Sequence, residues 1–190
     1  NALLQFALYD SNAKYEIRDL HIEGNYKRAG RIFEFFPNIK NIYIKSSNYI
    51  NGGQIGIWEN VVVDAPDPNF YINAINGGKF IGCTFKNFHG ESGSGSIPGY
   101  GYNGGIRWWE PTPGSRKDVN AEFIDCTLEN VMLRSYQIAN GTPAKFTGCL
   151  LNDVAIQIDD NRPFVFKGCT INNPLFRPTL SNTPKLYFYN

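Results

Sequence analysis

The sequence predicts an all-β protein built as a solenoid, a parallel β-helix. Three observations carry that prediction: few helix formers, a recurring apolar string, and a near-constant distance between its copies. The 190 residues include 19 Gly, 11 Pro, 14 Phe, 11 Tyr and one Met, with 42% hydrophobic and 18% charged residues. Counted along the chain, 22 Asn and 19 Ile stand against 10 Ala and 11 Leu. Turn formers outnumber helix formers, which argues against a helical bundle, a coiled coil or a Rossmann-type enzyme.

The recurring string surrounds four cysteines. Cys83, Cys126, Cys149 and Cys169 stand in FIGCTFKN (80–87), FIDCTLEN (123–130), FTGCLLND (146–153) and FKGCTINN (166–173). With the cysteine as position x, the pattern is apolar at x−3, small or apolar at x and apolar at x+2. The earlier chain repeats it with Ile17, Leu20 and Ile22, then Ile39, Ile42 and Ile44, then Trp58, Val61 and Val63. The x positions are therefore 20, 42, 61, 83, 126, 149 and 169, separated by 22, 19, 22, 43, 23 and 20 residues. A period near 21 residues with strand-like alternation and no helical pattern makes each repeat one coil, about 8 coils in all. Leucine-rich repeats share the period, but their L-x-x-L-x-L framework is absent.

Taken in order, 15–25 (YEIRDLHIEGN), IKNIYIKS and WENVVVDA open three coils. SSNYINGGQIG (46–56) and DAPDPNFYINAINGG (64–78) read as second halves of coils, with Gly and Pro at corners. The spacing of 43 between Cys83 and Cys126 is about twice the period, so 88–120 reads as an inserted loop or extra coil. After Cys169 the stretch 174–190 breaks register and reads as an irregular end of the solenoid. Residues 1–190 form one β-helix domain on this reading. Because the chain opens at Asn1, with NALLQFALY too short for a signal peptide, it reads as a fragment.

Coils stacked about 4.8 Å apart turn equal positions into columns. Positions x and x+2 fill the lumen, and Phe80, Phe123, Phe146 and Phe166 at x−3 predict an aromatic stack. Asn87, Asn130, Asp153 and Asn173 at x+4 predict a ladder at a turn that needs left-handed backbone. Outward charges at x+3 alternate in sign, Glu23, Lys45, Asp64, Lys86 and Glu129, so stacked neighbours attract. The cysteines read as small buried residues, neither disulfides nor zinc ligands, since there is no CxxC and no histidine at ligand spacing.

Charge and hydropathy narrow the partners. The net charge of +1 lacks the basic excess of a nucleic-acid binder. With no run of eighteen apolar residues, no membrane insertion is expected.

YEIRDLHIEGN and the later F-x-x-C-T strings resemble the pectate-lyase-like superfamily of single-stranded right-handed parallel β-helices, over roughly residues 15–173. The polygalacturonase motifs NTD, GHG and RIK are missing, leaving only Asp159-Asp160 in QIDDN to match DD. The pectate-lyase WiDH phrase and RxPxxR arginine are missing too. Among the remaining members the chain looks most similar to bacteriophage tailspike and capsule-depolymerase proteins, which combine irregular Asn- and aromatic-rich coils with few sequence signatures. That resemblance implies a polysaccharide partner, a homotrimer, and a place on a virion tail or outside a cell.

Insertions in solenoids fall at turns and commonly mark the binding face. The segment 88–120 holds Tyr100, Tyr102, Trp108 and Trp109 among glycines, and flat rings with a polar tip match the apolar face of a sugar. These four and Arg107 are the candidate substrate-binding residues. The competing reading makes GGIRWW a plain strand, one Trp inward and one outward. Hydrolysis needs two carboxylates flanking the scissile bond. Glu110 ranks first, since Trp109 and Pro111 beside it would raise its pKa toward a general acid; Asp160 and Asp159 follow. A lyase would instead use a base such as His89, Arg107 or Arg134, with Ca²⁺ or Arg neutralising a uronate. No compact acidic cluster marks a calcium site, so no metal ligand is assigned and Ca²⁺ enters only with lyase chemistry. The alternatives to hydrolysis are a non-catalytic trimeric β-helix spike or adhesin module that binds glycan, and a polysaccharide lyase or epimerase.

Overall fold

The computed structural model describes residues 6–7, 16–24, 33–34, 38–46, 56–65, 71–73, 76–87, 105–109, 119–136, 143–158, 163–178 and 186–190. Among these residues every element is a strand. The first strands are β1 (Phe6–Ala7), β2 (Glu16–Gly24), β3 (Phe33–Glu34), β4 (Asn38–Ser46), β5 (Ile57–Asp64) and β6 (Tyr71–Asn73). Four coils are then described through all three of their strands. They are β7 (Asn76–Ile81), β8 (Thr84–Lys86) and β9 (Gly105–Trp109); β10 (Val119–Ile124), β11 (Thr127–Glu129) and β12 (Met132–Tyr136); β13 (Ala144–Thr147), β14 (Leu150–Asn152) and β15 (Ala155–Ile158); and β16 (Phe164–Lys167), β17 (Thr170–Asn172) and β18 (Leu175–Pro178). The last strand is β19 (Leu186–Tyr189).

All pairings are parallel, and equal repeat positions pair in register: Leu20 with Ile42, Ile42 with Val61, and Phe80 with Phe123 and then Phe146. The chain is thus a parallel β-solenoid. Its 12-stranded sheet is two parallel rows, β7–β10–β13–β16–β19 and β8–β11–β14–β17, which meet at β5. In β2, β4 and β5 both rows run as one long strand. The third face is the five-stranded sheet β6–β9–β12–β15–β18.

Seven left-handed residues bend the rows. Position x−1 is Asp19, Asn41, Asn60, Gly82, Asp125, Gly148 and Gly168, with φ between 51° and 65°. Strict alternation would leave x−3 and x on opposite faces. One residue in left-handed backbone between them takes up the odd step, so both point inward. The same device recurs at x+4, where Asn87, Asn130, Asp153 and Asn173 have φ between 50° and 63°. There it brings Val131 and Val154 back into the core. Sequence reasoning found the x+4 column and missed x−1, although its Asp, Asn and Gly residues are the types that tolerate this backbone.

The x+4 and x+3 ladders hold as expected, and x−1 adds one that was not expected. Asn130 Nδ2 donates to Asn87 Oδ1 at 3.3 Å and Asn173 Nδ2 to Asp153 Oδ1 at 3.2 Å. At x−1, Asn41 donates to Asp19 at 2.9 Å and Asn60 to Asn41 at 3.0 Å. At x+3, Lys45 lies 3.4 Å from Glu23 and Lys86 3.6 Å from Glu129. The phenyl rings stack, Phe80 on Phe123 at 4.5 Å and 11°, Phe123 on Phe146 at 4.7 Å and 8°. All four cysteines are free thiols. Each Sγ donates to the x−3 carbonyl of the coil beneath, as Cys126 does to Phe80 at 3.4 Å.

β7 pairs directly with β10 and β8 with β11, so the described part of 88–120, β9 and the start of β10, belongs with single coils rather than with a complete extra one. Within 174–190, β18 pairs with β15 and β19 with β16, setting Phe188 on Phe166 at 5.3 Å.

Candidate functional site

The outward side chains of the two-row sheet are mostly half-buried or exposed, as a solvated solenoid wall should be. The five-stranded sheet differs. Met132 and Ala155, which point away from the lumen, are fully buried, and between the strands runs a polar column. In register it reads Arg107, Arg134 and Gln157. Arg107 is 5% exposed, Arg134 2% and Gln157 4%. This wall of the solenoid is covered on its outside.

Local backbone explains how β9 enters this sheet. Gly105 has φ of 96°, and a Cβ there would fall on the carbonyl oxygen of Met132 in the next coil. The close approach needs glycine. It starts Ile106 inward, Arg107 outward and Trp108 inward.

Two guanidinium groups on adjacent strands repel, by roughly 3 kcal/mol for unit charges 5 Å apart at an effective dielectric of 20. Burial adds a desolvation cost. Such a column survives only where acceptors or anions face it, and Arg107, Arg134 and Gln157 are each engaged by neighbours. Chemically the column can hold carboxylates or orient polar groups laid over the sheet.

Of the sequence-derived candidates, the structure places Arg107 in this column. It brings Arg107 beside Arg134, 27 residues on in sequence. Trp108 is a correction. Its indole is fully buried and meets Phe164 at 5.0 Å, Phe123 at 6.1 Å and Phe146 at 6.5 Å. Nε1 finds no acceptor there. Trp108 is a core wedge and cannot stack on a sugar, because alternation along β9 sends it into the lumen. Trp109 is paired with Tyr136 at the end of β9. Tyr100, Tyr102, Glu110, Asp159 and Asp160 lie outside the described residues, as does His89.

Glu110 follows β9 directly, and Asp159 and Asp160 follow β15 directly. Because the strands are parallel, both points of departure lie on the same edge of the five-stranded sheet, with β12 between them. Among the described residues, no group of three or more His, Cys, Asp or Glu is placed to hold a metal ion. His21 is exposed on the outer wall, edge-on to Tyr43 at 4.8 Å and 3.6 Å from Glu23. Compared with known proteins, the chain matches no protein-family model, no curated protein and no solved structure. A parallel β-solenoid is consistent with a polysaccharide-binding module, and the fold alone does not decide activity.

Proposed function

We propose that this chain is a polysaccharide-binding module of the tailspike type, a homotrimer on a virion tail or outside a cell, that cleaves its glycan by hydrolysis. The observation that supports this reading is the parallel β-solenoid itself, a fold consistent with polysaccharide-binding modules, in which Glu110 follows β9 and Asp159-Asp160 follow β15 in chain order. β9 and β15 are two strand spacings apart, about 9.6 Å. Inverting glycosidases hold their two carboxyl groups about 6.5–9.5 Å apart and retaining ones roughly 5–5.5 Å, and the anomeric configuration of the product tells the two apart. Glu110 is the general acid and Asp160 or Asp159 the base that activates water; Arg107, 5% exposed beneath the covered outer face, does not reach the sugar and leaves the substrate-binding set. Tyr100, Tyr102 and Trp109 supply flat apolar surface.

A second reading, binding without cleavage, is favoured by the described part of the wall, which offers arginine and amide but no carboxylate. A panel of bacterial surface polysaccharides separates them. Reducing ends released with inverted anomeric configuration, and lost in Glu110→Gln and Asp160→Asn with binding retained, support hydrolysis. An unsaturated uronate product identifies a lyase. Binding with no product from any glycan overturns the hydrolase reading.

A further inference from the structure

Four thiols stand in one column of the lumen, and none takes part in the proposed glycan chemistry. Each Sγ donates to the x−3 carbonyl of the coil beneath and reaches the x−2 carbonyl of its own coil. Cys83 meets Trp58 and Ile81 at 3.4 and 3.5 Å, Cys126 meets Phe80 and Ile124 at 3.4 and 3.3 Å, and Cys149 meets Phe123 and Thr147 at 3.4 and 3.5 Å. Matching distances at every coil mean one shared orientation, so the sulfurs repeat with the coils. Three residues away the ring stack measures that repeat: 4.5 Å from Phe80 to Phe123, 4.7 Å from Phe123 to Phe146 and 4.9 Å from Phe146 to Phe166.

This spacing disfavours one product and fits another. A disulfide draws its Cβ atoms to a mean of about 3.8 Å, closer than side chains projecting in parallel from adjacent coils stand, and all four thiols are free. A metal–thiolate bond is about 2.3 Å, so two thiolates with an ion midway between them lie about 4.6 Å apart. The sulfurs form a line, so no three converge on one point, and the tetrahedral set that zinc needs is missing among the described residues. Linear ligation by two thiolates suits soft monovalent ions of the Cu(I) class. Cys126 and Cys149 are the inner pair, each 1% exposed. Removing their protons orphans no acceptor: Ile124 O also takes the Gly82 N–H at 2.9 Å, and Thr147 O the Asp125 N–H at 2.8 Å. Hydrogen bonds link Cys83 to Cys126 and Cys169 to Cys149, so a neutral thiol on each side can donate to the pair and offset its negative charge.

We propose that Cys126 and Cys149 form a lumen site for one soft monovalent cation of the Cu(I) class, held linearly between two thiolates. Binding replaces two S–H bonds by two S–metal bonds and releases two protons, with no change in oxidation state. The ion enters when neighbouring coils part locally. The site is independent of the glycan reading.

The probe is Cu(I), supplied without oxygen to the full chain from a chelator buffer, with Zn²⁺ as the control and X-ray absorption at the copper edge. The expected result is one Cu(I) per folded chain, a first shell of two sulfurs at about 2.3 Å, a raised urea midpoint and no comparable uptake of Zn²⁺. Cys126→Ala and Cys149→Ala should each lower the Cu(I) affinity about a hundredfold or more, and Cys83→Ala, which removes only a neighbouring donor, about tenfold. Circular dichroism reads whether each variant folds, and where one does not, the shell in the unaltered chain decides. No uptake by the folded chain, a shell of three or more sulfurs, Zn²⁺ bound as tightly, or full affinity in folded Cys126→Ala would overturn the proposal.

Discussion

Gly82 has φ of 59° and nothing within 4 Å of where a Cβ would stand, so a side chain there meets backbone strain but no clash. Gly82→Ala should cost about 1 kcal/mol, the penalty of an L-residue in left-handed backbone, and Gly82→Asn less, since Asn41 and Asn60 occupy the same column. Urea unfolding of the pair checks the order. Gly105→Ala meets backbone rather than space, so it should cost more than about 2 kcal/mol and detach β9. At Cys126, hydrogen bonding to Cys149 and Cys83 and then burial push the thiol above its ordinary range. Hydrogen bonding to Cys149 and then burial likewise raise Cys169. A raised thiol stays protonated in the fold while the unfolded chain ionises from about pH 8.5. Stability from this source is therefore whole below that pH and falls as pH rises above it. The urea midpoint should decline above about pH 8.5, and Cys126→Ala should flatten the decline by up to about 1.4 kcal/mol per pH unit.

At the scale of the strand, Trp108 and the phenylalanine stack act as one packing unit, because the indole of β9 meets rings of β10, β13 and β16 edge-on. Trp108→Ala should cost about 3–5 kcal/mol and Trp108→Phe much less, both read by urea unfolding. A glycan-binding loss in Trp108→Phe without a stability loss would contradict its placement in the lumen. How far this was legible depends on the strand. Positions x−3, x and x+2 recur with a period, so the lumen columns could be read from Ile42, Val61 and Cys83 directly. The x−1 turn was written in the same strings, yet a template of period two has no place for an odd residue between Phe80 and Cys83. Length left 88–120 open: 43 residues are two coils or one coil with an insertion, and the pairing of Phe80 with Phe123 shows that Phe123 stands one coil above Phe80. The arginine column was the least legible. β9, β12 and β15 carry no common residue type, and Arg107, Arg134 and Gln157 become neighbours only through register.

Over the whole molecule, each coil touches only the coils above and below it, so stability is a sum of neighbour terms and the ends are the weak members. Phe123 and Phe188 test this with one chemistry. Both stand at x−3 in the same stack, but Phe123 has Phe80 on one side and Phe146 on the other, while Phe188 has Phe166 beneath it and is 56% exposed. Truncating Phe123 removes a fully enclosed ring and leaves a cavity that the neighbouring rings cannot fill, which costs about 3–5 kcal/mol. Truncating Phe188 removes a ring already half in water and leaves no enclosed cavity, so the cost should be below about 2 kcal/mol. Native-state hydrogen exchange should show the same gradient along the axis. Amides of β19 and β18 should exchange first, through local opening, and those of β10 and β13 last. Phe188→Ala should speed exchange in β16 and β19 while leaving β10 unchanged. Equal acceleration of all coils would mean that the solenoid opens as a single unit, and the neighbour picture would then be wrong for this molecule.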